Sequence, residues 1–222
     1  MLERIIIYYS KQPLIPIIML LPILPIVLAI WNRAYKDAIL KTLFIYLIVD
    51  LSCNITEFIL AFIGLYNIWL FNTFFLFEVI IFGVIYIQIL HSTSKRKTII
   101  VGLLLATIIA IFDFKTLEIS PFATAFDKVL MIVFVFLHFN TILSEMKIKN
   151  ILLHPPFWIS VAVIIYAAGS FSIDLFSNYI FNDSDETFLF FLNMRRIVNI
   201  IFLLILSIAI WVKKYNIKEE QS

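Results

Sequence analysis

The chain is short of glycine, cysteine and charge: 222 residues include four Gly, one Cys and 14% Asp, Glu, Lys and Arg. A single cysteine, Cys53, excludes an intramolecular disulfide and any thiolate metal cluster built from one chain. With so few glycines a phosphate-cradling loop is hard to build, and no G-x-S-x-G elbow, P-loop or dinucleotide-binding turn occurs. The three histidines, His91, His138 and His154, are scattered rather than one helical turn apart, which argues against zinc hydrolysis, and no metal or other cofactor is expected. Residues 193–207 hold no lysine, so the last helix cannot carry a retinal Schiff base.

What the chain has is apolar bulk: 63% of its residues are hydrophobic and 23 are Phe. That composition belongs to an all-α, polytopic membrane protein rather than a soluble domain. The net charge of +2 is small and the basic residues gather in short loops, so they read as topology signal. The lipid bilayer is the expected partner, and nucleic acid is not.

A span needs about 20 apolar residues. The sequence predicts a single domain of seven spans, near residues 13–31, 41–66, 68–90, 98–112, 122–143, 156–177 and 186–211, followed by a tail from Lys213 to Ser222. Pro16, Pro22 and Pro25 should kink or break the first span, which lacks the cleavage pattern of a signal peptide and is read as a retained helix. The loops are too short for a soluble domain, and no internal repeat is visible.

Lysine and arginine set the orientation. Arg33, Lys36, Lys41, Lys95, Arg96, Lys97, Lys147, Lys149, Lys213, Lys214 and Lys218 fall on one face, against Arg4, Lys11, Lys115 and the membrane-edge Lys128 on the other. The expected arrangement has the amino terminus outside and the carboxyl terminus in the cytoplasm.

The second span is the most informative. At about 100° per residue, Asp50, Cys53, Asn54 and Glu57 share one helical stripe with Tyr46, Ala61 and Gly64. An ionisable side chain at the bilayer centre costs about 3 kcal/mol or more, so this stripe should face other helices or water. At about 1.5 Å per residue, Glu57, Arg195 and Arg196 all fall about 12 Å below the outer surface, and Glu78 falls near the midplane. With Tyr166, Ser170 and Asp174 on the sixth span and Asn199 on the seventh, these residues outline an outward ligand pocket: Glu57, Glu78, Tyr166, Ser170, Asp174, Arg195, Arg196 and Asn199. Asp50, Asn54 and His138, at comparable deeper levels, suggest a polar relay beneath it.

Each feature also has a plainer reading. Glu57 with Arg195 or Arg196 suits a structural salt bridge between helices. Lys128, beside Asp127, suits a lysine snorkelling to the headgroups. His138 and the pair Asp50 and Asn54 suit interhelical hydrogen bonding. Asp174 suits a capped or wetted helix end, and the phenylalanines suit packing and lipid contact.

The segments Leu76-Phe77-Glu78-Val79-Ile80-Ile81-Phe82-Gly83-Val84-Ile85-Tyr86, Pro155-Pro156-Phe157-Trp158-Ile159-Ser160 and Ile165-Tyr166-Ala167-Ala168-Gly169-Ser170-Phe171 resemble the third and sixth helices of an uncharacterised family of small bacterial seven-helix membrane proteins. Members of that family often accompany sensor histidine kinases or other signalling ATPases. The resemblance implies a sensory or accessory role in the bacterial inner (cytoplasmic) membrane. It draws attention to Glu78, Trp158 and Tyr166 and carries over no catalytic residue. Ala162 and Ala167-Ala168 stand where that pattern leads one to expect glycine or other small or aromatic residues.

The leading expectation is therefore a receptor-like or sensory protein that binds a small molecule and signals through a cytoplasmic kinase, its oligomeric state open. Two other classes remain: a lipid-modifying enzyme using paired carboxylates such as Glu57 and Glu78, and a proton- or ion-coupled carrier using Asp50, Glu57 and His138.

Overall fold

The computed structural model describes residues 14–146, 150–181 and 185–220, and among them all regular structure is helical. The helices are α1 (Leu14–Leu20), α2 (Ile23–Trp31), α3 (Ala38–Phe62), α4 (Ile68–Ile89), α5 (Thr93–Asp113), α6 (Pro121–Glu145), α7 (Pro155–Leu175), α8 (Ser177–Phe181) and α9 (Asp185–Glu220). Single 3-10 turns occur at Ala34–Lys36 and Ile151–Leu153.

Five helices are long and apolar enough to cross a membrane: α3, α4, α6, α7 and the Glu186–Tyr215 part of α9. The remaining two expected spans are weaker. The first is divided into α1 and α2 at Leu21-Pro22, where the missing proline N–H interrupts the ladder, so Pro16–Trp31 is a shorter apolar stretch. In α5, Lys95, Arg96 and Lys97 are the third to fifth residues and leave residues 98–112 as the apolar part. Of the basic residues used for orientation, Arg4, Lys11, Lys147 and Lys149 lie outside the described residues.

Local chemistry fixes the ends. Asp37 caps α3, its Oδ1 accepting from the amides of Ile39 at 3.0 Å and Leu40 at 3.1 Å. Gly64 stops α3 at φ 79°, with Leu65 N donating to Leu60 O at 2.9 Å and Gly64 N to Ala61 O at 3.2 Å, the paired bonds of a Schellman motif. Prolines begin α6 and α7, where the absent N–H is not missed. The expected tail from Lys213 is instead a continuation of α9, which runs 36 residues, because no Gly or Pro follows Trp211 to end it.

The neighbours form a ring: α3 packs on α4, α4 on α6, α6 on α7, α7 on α9, α9 on α2, and α2 on α3. Helix α5 lies outside the ring against α4 and α6, and α1 lies against α3 and α9. Lys213 Nζ, 3.0 Å from Asp37 Oδ2, ties α9 to the start of α3. The apolar core runs through the ring, with Leu43, Phe82, Phe134, Ala162 and Phe202 fully buried.

Candidate functional site

Five helices of the ring each send one large side chain to the centre: Tyr46, Glu78, Lys128, Tyr166 and Phe202. Lys128 Nζ donates to Glu78 Oε2 at 2.5 Å, and both side chains are buried, 0% and 1% exposed. Tyr46 Oη donates to Glu78 Oε1 at 2.9 Å and Tyr166 Oη to Oε2 at 3.2 Å. The rings of Tyr166 and Phe75 lie under the ammonium, 4.1 and 4.6 Å from Nζ, and Phe202 stacks on Tyr166 at 4.6 Å. A buried charge pair survives in an apolar interior only when its remaining hydrogen-bonding capacity is met, and here the two tyrosines meet it on the carboxylate.

Lys128 therefore does not snorkel. The Pro121 end of α6 is roofed, with Ser120, Ala123, Thr124 and Asp127 all buried. The roof is pinned by Asn72, whose Nδ2 donates to the carbonyls of Lys115 at 2.7 Å and Glu118 at 2.9 Å, while its Oδ1 accepts from Ser120 N at 3.1 Å. On the same loop, the hydrogen bond to Glu118 holds the Lys115 ammonium above its ordinary pKa.

Beside this cluster lies a cavity of about 330 Å³ between α1, α3, α4, α7 and α9. Its polar lining is Asp50, Asn54, Glu57, Arg195, Arg196 and Asn199, with Tyr46 and Tyr166 as the partition towards the ion pair. A second, more apolar cavity of about 240 Å³ adjoins it and shares Glu57, Phe71, Leu192 and Arg195 as the common wall. Arg195 is the hub of that wall. Its Nη1 stands 3.0 Å from Asp174 Oδ1, close enough for an ion pair but without the alignment of a hydrogen bond, and its guanidinium lies 4.4 Å from the Phe71 ring.

The outward pocket expected from sequence thus divides. Glu57, Tyr166, Arg195, Arg196 and Asn199 line the larger cavity, together with Asp50 and Asn54, the two α3 residues of the expected relay. Glu78 stands behind the two tyrosines. Ser170 is fully buried and donates back to Tyr166 O at 2.7 Å within α7. Asp174 neither caps nor wets a helix end: it is 0% exposed and pairs with Arg195, one of the two arginines expected near Glu57.

His138 is set apart from Asp50 and Asn54. Its Nδ1 lies 2.7 Å from Ser160 Oγ, which also accepts from Tyr86 Oη at 3.0 Å. Ten residues separate His138 from Lys128 on α6, about 15 Å of rise, so this histidine belongs to an interhelical cluster nearer the other end of the bundle.

Sequence reasoning missed Lys128 and Tyr46 as partners of Glu78. The signal was present in the heights: an acid at the midplane needs a cation, and Lys128 is the basic residue that α6 carries into the bundle. Among the described residues no group of His, Cys, Asp and Glu side chains is arranged to hold a metal ion. Set against family models, curated proteins and solved structures, the chain matches none of them.

Proposed function

We propose that this chain is a receptor-like or sensory protein of the bacterial inner membrane, crossing seven times with its amino terminus outside. In this reading it takes a small molecule into the larger cavity and signals through a cytoplasmic kinase. The observation that carries the reading is the cavity of about 330 Å³ whose lining combines carboxylates, arginines and amides beside a buried ion pair. That volume is within the range of small-molecule sites, and convergent polar groups on a mostly apolar wall are their usual form. Occupancy would bias the packing of α3, α4 and α9 around the cavity, and the helix ends would carry the change to the partner. Two basic residues at the start of α5 are engaged within the chain, Lys95 with Asn140 and Thr141 and Arg96 with Leu90 O, so a partner meets a surface held in place.

The test is purification of the tagged full chain from its native membrane in mild detergent, with kinase activity assayed in the complex. Recovery of a kinase whose output changes in Glu57→Gln or Arg196→Gln supports the reading. A chain that purifies without a kinase, in a host whose signalling is indifferent to both substitutions, overturns it.

The two other classes are less well supported. A lipid-modifying enzyme that shares a proton between Glu57 and Glu78 needs the two acids free to pair, yet both oxygens of Glu78 accept hydrogen bonds from Lys128, Tyr46 and Tyr166. A carrier passing protons between Asp50 and His138 needs a path between the two, yet His138 is engaged in its own cluster, with Ser160 and through it with Tyr86. Turnover of lysolipid lost in Glu78→Gln, or proteoliposome flux dependent on Asp50, would restore one or the other.

A further inference from the structure

The end of α2, the start of α3 and the Trp211–Tyr215 turn of α9 meet at one end of the bundle. Asn32 Nδ2 donates to Ile210 O at 3.4 Å, and Lys213 Nζ stands 3.0 Å from Asp37 Oδ2, so residues 31–41 and 210–215 lie side by side. These two stretches hold five basic residues, Arg33, Lys36, Lys41, Lys213 and Lys214, and one acid, Asp37. That acid is already committed, one oxygen to the first amides of α3 and the other to Lys213. Arg33, Lys36, Lys41 and Lys214 are exposed and form no ion pair among the described residues. Trp31, Tyr35, Trp211 and Tyr215 are exposed beside them, Trp31 by 79%. The backbone adds an independent sign. Arg33 follows α2 with φ 50° and ψ 36°, a left-handed conformation that glycine takes at a helix end with little strain and that a side chain opposes. Glycine would serve the turn better, so the exposed guanidinium is the reason for an arginine there.

We propose that this end of the bundle binds the headgroup of an anionic phospholipid, with Arg33, Lys36 and Lys214 around its phosphate. Tryptophan and tyrosine gather at the level of lipid headgroups. Trp31 ends α2, and Trp211 follows the residue whose carbonyl Asn32 reaches, so the two indoles mark that level on adjoining helices. The unpaired cations stand within a few residues of it, where the apolar span of α3 begins and that of α9 ends. Arginine offers a phosphate two parallel donors, and each cation near an anionic bilayer surface strengthens association about fivefold. An acidic soluble protein is a poorer occupant, because the charges are ringed by exposed aromatic side chains at the edge of the apolar spans.

The test reads tryptophan fluorescence of the full chain in bilayers where either phosphatidylglycerol or phosphatidylcholine carries brominated, quenching acyl chains. A Trp69→Phe, Trp158→Phe background leaves Trp31 and Trp211 as the reporters. Brominated phosphatidylglycerol, as a minor component of phosphatidylcholine, should quench beyond its share of the bilayer, and brominated phosphatidylcholine should not. Lys36→Gln and Lys214→Gln should each lower that preference about fivefold. Arg33→Gly should lower it as well while leaving the melting midpoint in pure phosphatidylcholine equal or higher, because the turn is relieved of its strain. Lys97→Gln, the same loss of charge on α5, should leave the preference unchanged. Quenching by both lipids in proportion to their abundance overturns the proposal, as does a preference that survives all three patch substitutions or that falls equally in Lys97→Gln. Displacement of the brominated lipid by soluble glycerol 1-phosphate would show a site for free phosphate and would overturn the lipid assignment.

Discussion

Glu78 on α4 and Lys128 on α6 form an ion pair at 2.5 Å with neither side chain reaching the surface. Removing either charge alone leaves the other uncompensated in an apolar interior, so Glu78→Gln and Lys128→Met should each destabilise the bundle by about 3 kcal/mol. The double substitution should recover much of that loss. Urea unfolding of the four proteins of this cycle in a fixed detergent measures the coupling directly; a double variant that costs the sum of the singles would show that the pair does not act as a unit.

Gly169 lets α7 approach α9: a Cβ there would stand 2.9 Å from Val198 Cγ2. Valine is branched at Cβ and cannot swing its methyls away, so Gly169→Ala should destabilise by about 1–2 kcal/mol. Gly83→Ala meets the Leu103 methyls at 2.7 Å, but those are the far end of a longer side chain that can turn aside, and its cost should be smaller. Melting midpoints should therefore fall further for Gly169→Ala, and Val198→Ala should rescue that variant specifically.

Asn72 holds the 114–120 loop by three hydrogen bonds to its backbone. Asn72→Ala should cost about 1–3 kcal/mol and release the roof over α6. Amide hydrogen exchange at Ser120 should accelerate strongly while the centre of α6 changes little. Unchanged exchange at Ser120 would show that the loop is held by other contacts.

The seven-crossing arrangement predicts that the two ends of α5 lie on opposite sides of the membrane. In a Cys53→Ala background, Glu118→Cys should react with a membrane-impermeant maleimide in whole cells, and Ser94→Cys only after lysis. Reaction of both from the same side would mean that α5 does not cross and would reverse the reading of that helix.

The helical, membrane-spanning class was legible because composition and apolar run length dictate it, and most helix ends could be read from prolines and caps. The depth of single residues was less legible. Lys128 looks peripheral when counted from the start of α6, because counting supplies height but not what lies above; the roof pinned by Asn72 depends on a contact 43 residues away in sequence. The pairing of arginines was hidden for a similar reason. Glu57 and Arg195 share a level, but which acid an arginine reaches depends on which helices adjoin, and α9 packs on α7 as well as facing α3. The stripe on α3 was readable in full, since it depends only on the helical period.

The unequal packing of the long helices has a mechanical consequence. Over its apolar window α3 is only 22% buried, whereas α6 is 56% buried. The helix that carries Asp50, Asn54 and Glu57 is thus the least gripped of the five, and the one that carries Lys128 the most. A helix held by fewer neighbours opens at lower free-energy cost, so the amides of α3 should exchange faster than those of α6, with the Lys213–Asp37 tie holding its first turn.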